Sequence, residues 1–320
     1  MRHDTHGPGV LGRRWALLSI AVLGLGTSAA QSQLTVDAFP ALEPTDFSYV
    51  SADRIAAFRD ETRQKSVRPF EIFDNLYYIG IEWVASYLLV TSDGLIVIDS
   101  LHEPYVETGI EHIRELGFEP TDVRYVLGTH GHFDHVGGHA HYQKAMGSRV
   151  GMTAADWKRA QADAAQPTFG MELAEVDLVI QDGDTLELGD QTMRFYVTPG
   201  HTEGVLSMEF SVRDGNDRHR AVIFGGSGSL TNDFWRYQTV LGNLRRFKVV
   251  AAQSPPITVR LTAHPSGPGA GSGPGLFELR DSLRARGPGD PHPFVEPPGA
   301  FIESLEQSER AIERAILALP

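Results

Sequence analysis

The segment Thr129-His130-Gly131-His132-Phe133-Asp134-His135-Val136-Gly137-Gly138 places three imidazoles and a carboxylate within six residues. No packed core tolerates that density of polar groups without partners, and a metal pair would satisfy all of them. Neutral imidazole nitrogens and carboxylate oxygens suit zinc, and a cluster this dense can divide its ligands between two ions. A histidine-rich surface loop is the plain alternative. The His-x-His-x-Asp-His order is too specific for it to be preferred.

The chain has 320 residues, more than the usual single domain, so one α/β catalytic domain with appendages is expected. Its 41% hydrophobic and 22% charged residues are those of a soluble globular protein. Residues 1–30 read as an export signal: Arg13 and Arg14 form a basic end, an apolar run follows, and Ser28-Ala29-Ala30 is a small-residue cleavage site before Gln31. The apolar run is too short to span a bilayer. A periplasmic protein with no stable membrane anchor is expected, and the Arg-Arg pair leaves the twin-arginine route open.

No cysteine occurs anywhere, so no thiolate can serve as ligand or nucleophile and no disulfide supports the fold. The net charge is −13, and removal of a leader carrying Arg2, Arg13 and Arg14 against Asp4 makes the remainder more acidic still. Such a surface repels phosphate backbones and anionic membranes, which points away from nucleic acid and toward a small-molecule substrate.

Residues 31–69 are polar and read as an N-terminal arm. Residues 70–320 read as the catalytic domain. Strands are expected over 71–79, 84–90 and 95–98, the last after the Ser92-Asp93-Gly94 turn. A helix over 104–116, a strand over 123–127 ending at the histidine cluster, a helix over 139–146, a strand over 149–152 and a helix over 154–165 follow. Residues 166–174 have no clear period and suit a flap over a cleft. The second half repeats the grammar, with strands near 176–180, 185–188, 193–197, 206–212, 221–224 and 257–261 and a helix over 237–252. Two Gly/Pro-rich stretches, 266–275 and 287–299, read as loops, and an amphipathic helix over 301–317 closes the chain. Strands and helices in both halves predict a sheet-on-sheet sandwich flanked by helices.

His201 in Thr198-Pro199-Gly200-His201-Thr202, Ser227 after the strand ending at Phe224, and His264 in Leu261-Thr262-Ala263-His264-Pro265 also stand where strands end. Loops at strand ends are where α/β proteins hold reactive groups. With these residues in place, the chain from about Phe70 to His264 resembles the metallo-β-lactamase superfamily. That family's αββα sandwich is marked by His-x-His-x-Asp-His, a later Gly-His-Thr and a final histidine.

The resemblance implies two zinc ions, the first on His130, His132 and His201 and the second on Asp134, His135 and His264. Each ion would keep a position open for water, as a hydrolytic site requires. Glyoxalase II enzymes and many lactonases resemble one another in a metal-bridging aspartate after the strand at 221–224, and two β-lactamase subclasses have a cysteine there. This chain reads Phe224-Gly225-Gly226-Ser227-Gly228-Ser229. Neither ligand is present. The flavin-partnered di-iron branch, with a glutamate where His132 stands, does not match either.

What remains looks like the third, cysteine-free subclass of class B β-lactamases, in which Ser227 and Ser229 would face the substrate carboxylate or the metal-bound water; a plain Gly/Ser turn is the equal alternative. Gly226, where the family often has aspartate, and Glu203, where Gly-His-Thr-Pro is common, depart from its pattern. Asp99 matches an aspartate the family keeps beside the site, able to orient a ligand or to cap the following loop. His139 and His141 read as solvated or as supports of the site, and His102, His112, His219 and His292 lack a metal-like neighbourhood.

The expected function is a zinc hydrolase of cyclic amides, using a hydroxide between the metals that Asp134 orients. A hydrolase of lactones or thioesters and a non-catalytic zinc-binding protein are the alternatives.

Overall fold

The computed structural model of the protein describes residues 67–225, 233–265 and 274–319. The expected leader, most of the N-terminal arm and the loop serines Ser227 and Ser229 lie outside the described residues.

The chain enters a sheet through a meander of β1 (Phe70–Phe73), β2 (Leu76–Tyr78), β3 (Tyr87–Thr91) and β4 (Gly94–Ile98), all paired antiparallel. The strand expected over 71–79 is thus two strands. Asp74-Asn75 turns between them, and buried Asn75 leaves the hairpin to donate to Ser211 O (3.1 Å) and accept from Arg213 N (2.9 Å). Helix α1 (Val106–Glu115) then crosses to β5 (Val123–Leu127), and the short helices α2 (Phe133–Val136) and α3 (His139–His141) lead to β6 (Arg149–Met152). Helix α4 (Ala154–Ala164) precedes the short β7 (Leu178–Val179). Strands β4, β5, β6 and β7 run parallel, closing a seven-stranded sheet in the order β1-β2-β3-β4-β5-β6-β7.

The second sheet holds five strands in the order β12-β11-β10-β9-β8: β8 (Thr185–Leu188), β9 (Gln191–Val197), β10 (Leu206–Asp214) and β11 (Asp217–Ile223) antiparallel, and β12 (Ile257–Leu261) parallel to β11. Helix α5 (Phe234–Ala251) joins β11 to β12, and α6 (Leu276–Ala285) and α7 (Ala300–Leu317) complete the chain. Two outcomes differ from expectation here. Helix α5 starts earlier than expected because Asp233 caps it, accepting from Arg236 N at 2.8 Å. Helix α6 forms between the two Gly/Pro-rich stretches, where no element was expected, by seating Leu276, Phe277, Leu279 and Leu283 on the core.

Three apolar clusters make this an αββα sandwich. Between the sheets, Ile72, Leu89, Ile96, Ile98 and Leu127 meet Met193, Phe195, Met208, Phe210, Ile223, Val259 and Leu261. On the outer face of the first sheet, Leu88, Leu95, Val97, Val126 and Val150 pack on Ile110 and Ile113 of α1 and on Trp157 and Ala160 of α4. On the outer face of the second, Tyr196, Val222 and Ile257 pack on Val240, Leu244 and Phe247 of α5 and Phe301 and Leu305 of α7.

Strand β4 is apolar on both faces because both are covered, so polarity cannot set its register. The turn does. Thr91 pairs with Gly94 across Ser92-Asp93, and Gly94 adopts φ 138°, a backbone conformation that favours glycine. Residues 166–174, expected as a flap, are pinned at Phe169, which is buried and stacks on Phe133 with ring centroids 4.6 Å apart.

Candidate metal centre

Every candidate ligand follows the C-terminal end of a strand, and the sandwich brings those ends from both sheets to one edge. His130 and His132 follow β5, Asp99 follows β4, His201 follows β9 and His264 follows β12. Backbone bonds stitch the loops together across the sheets: Leu206 N donates to Thr129 O (2.7 Å) and Ala85 N to Ala263 O (2.9 Å). The expected ligands converge as two triads, His130–His132–His201 and Asp134–His135–His264, with the potential donor atoms of each within 4.8 Å of one another. The triads adjoin, since the rings of His130 and His135 are 4.0 Å apart at their centroids.

Hydrogen bonds decide which ring nitrogen each histidine offers. His264 Nδ1 donates to the Trp83 carbonyl (2.7 Å), which leaves the Nε2 lone pair turned inward, 3.2 Å from His135 Nε2 and 3.7 Å from Asp134 Oδ2. His135 Nδ1 donates to Asp99 Oδ2 (2.8 Å). Thr129 Oγ1 also donates to that oxygen (2.9 Å), so it accepts from His130 Nδ1 (3.1 Å), and His130 Nε2 is the remaining acceptor. That nitrogen is buried and has no hydrogen-bond partner. A buried, unsatisfied lone pair facing two other imidazoles is costly in a polar-group sense and is what a metal ion requires. The donor set therefore fits a pair of N/O-preferring divalent cations.

Asp99 bonds both to a candidate ligand and to the loop that follows β5. Its carboxylate also accepts from Thr129 N (2.7 Å), so one buried side chain fixes both His130, through Thr129, and His135. The backbone here is strained. Asp99 and Leu101 have φ of 60° and 61°, a left-handed conformation that costs about 1–3 kcal/mol each and persists only where surroundings over-determine it. The bonds from Ser100 N to His135 O (2.7 Å) and from Gly138 N to Leu101 O (3.1 Å) do so.

Burial and charge separate the triads. Burial first, then repulsion between neighbouring imidazoles, lowers the pKa of His130 and His132 well below its usual value and that of His201 to about 3, keeping these rings neutral. Burial alone would lower His135 as well. Asp134 and Asp99 outweigh it and raise His135 to about 10. Burial would raise Asp134, but the attraction of His135, His264 and His132 wins and holds it ionised. A proton between two carboxylates is what a bound cation would displace at the second triad.

The other described histidines lie outside the two triads. His139, expected as solvated or supporting the site, is buried, bonded through Nδ1 to Ser100 Oγ (2.8 Å), and burial lowers its pKa to about 3. The solvated half of that reading is corrected, because the Gly137-Gly138 turn drives α3 against the β4 loop: a Cβ on Gly138 would collide with Ser100 O. His141 is exposed. His102 is buried among Trp83, Tyr105 and Phe133. His112 bonds to Ile79 O (2.9 Å), and His292 to Ile72 O (2.8 Å). Thr129 and Trp83 were missed by the sequence reading. Thr129 sat inside the motif, whereas Trp83 acts through a main-chain carbonyl that no side-chain pattern reveals.

Residues 83–214 match the family model described as the metallo-beta-lactamase superfamily. Among curated proteins, a hydroxyacylglutathione hydrolase of Rhodopseudomonas palustris is 35% identical over 111 residues, covering 35% of this chain and 37% of that protein. One from Maricaulis maris is 34% identical over 82 residues, 26% of this chain and 27% of its own length. The matches thus span between about a quarter and little more than a third of these relatives. Solved structures align over far more. BJP-1, a subclass B3 metallo-beta-lactamase of Bradyrhizobium japonicum, superposes with TM-score 0.65 at 27% identity, covering 79% of this chain and 94% of its own. FEZ-1 of Legionella gormanii gives TM-score 0.64 at 26% identity, covering 78% and 96%.

Proposed function

We propose that this chain, a member of the metallo-β-lactamase superfamily, is a zinc-dependent hydrolase that opens cyclic amides of the β-lactam kind. The observation carrying this reading is the pair of adjoining three-ligand triads, His130–His132–His201 and Asp134–His135–His264. Three protein ligands per ion is the pattern of catalytic rather than structural zinc, which has four. When bound, two such ions supply Lewis acidity for the carbonyl and a water made nucleophilic near neutral pH.

The side chains do the rest. Ionised Asp134, its Oδ2 3.2 Å from His135 Nε2, takes the proton of the attacking water and returns one to the departing amide nitrogen. Trp83, half-buried beside His264 with ring centroids 5.5 Å apart, and buried Phe133 and Phe169 form an apolar wall that limits water near the second triad. His264, about one-third exposed, opens that triad to solvent and thus to substrate. The leader-like residues 1–30 support action in the periplasm.

Support for the cyclic amide comes from the near-full-length likeness to BJP-1 and FEZ-1, together with the absence of aspartate in the 224–229 sequence. Thioester hydrolysis is the second reading, favoured by the local identity to hydroxyacylglutathione hydrolases. Zinc-loaded protein assayed against penicillins, carbapenems, lactones and acyl thioesters, with a chelator control, separates them. Chelator-sensitive β-lactam turnover is expected; thioester cleavage alone would install the second reading, and inertness toward all would leave a zinc-binding protein without catalysis.

A further inference from the structure

Helix α4 lies behind the first triad and makes contact with both loops that build it. Thr153 caps the helix, accepting from Asp156 N (3.2 Å), and donates to Gly204 O (2.9 Å). Three residues on, Asp156 is fully buried and its Oδ2 accepts from Thr202 Oγ1 at 3.1 Å. Burial raises the Asp156 pKa to about 7, and Thr202 together with the peptide N–H groups of Gly131 and Gly204 offsets this in part. Gly131 separates His130 from His132, and Thr202 follows His201 directly.

The approach is too close for side chains. A Cβ on Gly131 would collide with Asp156 O, and one on Gly204 with Thr153 Oγ1, so glycine at both positions lets the loops reach the helix. Two turns along the same face, Asp163, paired with Arg159, accepts from Phe133 N (3.2 Å). Positions 153, 156 and 163 share one helix face by their spacing. At the second triad, His264 hangs instead from the Trp83 carbonyl.

We propose that Asp156 is a positioning residue of the first triad: by holding the His130–His132 loop and the His201 loop on one carboxylate, it fixes the spacing of the three imidazoles toward a metal ion. This rests on the metallo-hydrolase reading. A buried carboxyl group reaching across two segments remote in sequence constrains their separation, and outer partners of metal ligands typically contribute about 10–100-fold to metal affinity.

The test uses zinc affinity by competition with a chelator, absorption spectra of cobalt-substituted protein, and thermal unfolding. Wild-type protein is expected to bind two equivalents. D156A and T202V should each weaken one equivalent by about 10–100-fold and perturb one of two cobalt environments, while T202S, which keeps the hydroxyl, behaves as wild type. In an H201A background, which already lacks a complete first triad, D156A should weaken the remaining equivalent no further.

Retention of both equivalents at wild-type affinity in D156A and T202V, with only a lowered Tm, would overturn the proposal and leave Asp156 a fold-supporting residue. So would an undiminished D156A effect in the H201A background. If D156A does not fold, T202V, which removes a single hydroxyl, decides alone. Wild-type protein that binds no metal would overturn the metallo-hydrolase reading itself, and this proposal with it.

Discussion

The two triads are built from the same residue types and lie side by side, yet they solve opposite electrostatic problems. The first is all imidazole, buried by helix α4, and its rings are neutral because burial and their mutual repulsion keep protons off. The second places His135 between two carboxylates, Asp134 and Asp99, and leaves His264 at the rim. Neutral donors suit a cation at any ordinary pH. Donors inside an acidic frame attract the cation more strongly but hold a proton until it arrives. The difference lies in charge rather than in exposure, since each triad has two buried members and one half-buried one.

The largest effect should come from removing either half outright. H132A or D134A is expected to lower kcat/KM by about three orders of magnitude or more, corresponding to the several kcal/mol that one ion's charge stabilisation supplies. Steady-state kinetics on metal-loaded variants check this; equal loss in both shows that neither triad suffices alone. A variant of either residue retaining wild-type rates would dissolve the comparison.

Next in size is Asp99→Ala, which frees His135 Nδ1 and Thr129 together. Metal affinity should fall about 10–100-fold, more at the second triad, where Asp99 bonds the ligand directly, than at the first, where Thr129 intervenes. Competition titrations resolve the two equivalents.

Proton release sharpens the electrostatic contrast. At pH 8, His135, with its pKa near 10, carries a proton that must leave before it can bind a metal, whereas His201, near 3, carries none. Affinity at the second triad should therefore rise with pH up to about 10, while that at the first is flat above the imidazole range. Calorimetry of zinc binding in buffers of different ionisation heat should report about one proton released for one equivalent and close to none for the other. Equal release at both would contradict the assignment.

Trp83→Ala should have the smallest effect. It removes the ring beside His264 but keeps the carbonyl that orients it, so metal content should stay and KM should rise by roughly 2–10-fold, the range of one aromatic contact. Loss of a metal equivalent in W83A would mean that the ring, not the peptide, holds His264.

How much of this was legible in the sequence depends on how local the cause is. The six converging side chains were readable because the cluster is contiguous and because His201 and His264 each follow an apolar strand. The sandwich was readable because the alternation of strand and helix patterns repeats in both halves. Asp156 and Asp163 were invisible: an acidic residue on a helix normally reads as solvated, and only the close passage of Gly131 and Gly204 beside Asp156, and of Phe133 beside Asp163, shows otherwise. His139 misled for the same reason, since a glycine turn forces its helix inward. The left-handed φ at Asp99 and Leu101 is held by bonds to the distant segment 135–138, which no single-sequence pattern encodes. Helix α6 was missed because Gly/Pro-rich flanks dominated a short apolar repeat.

The most direct test of the account is the zinc content of purified protein after removal of loosely bound metal, compared with that of H201A and H264A. Two equivalents in the wild type, falling to one in each variant, is the predicted result. Zinc content unaltered by either substitution, or none in the wild type, would contradict the paired centre on which the proposed chemistry depends.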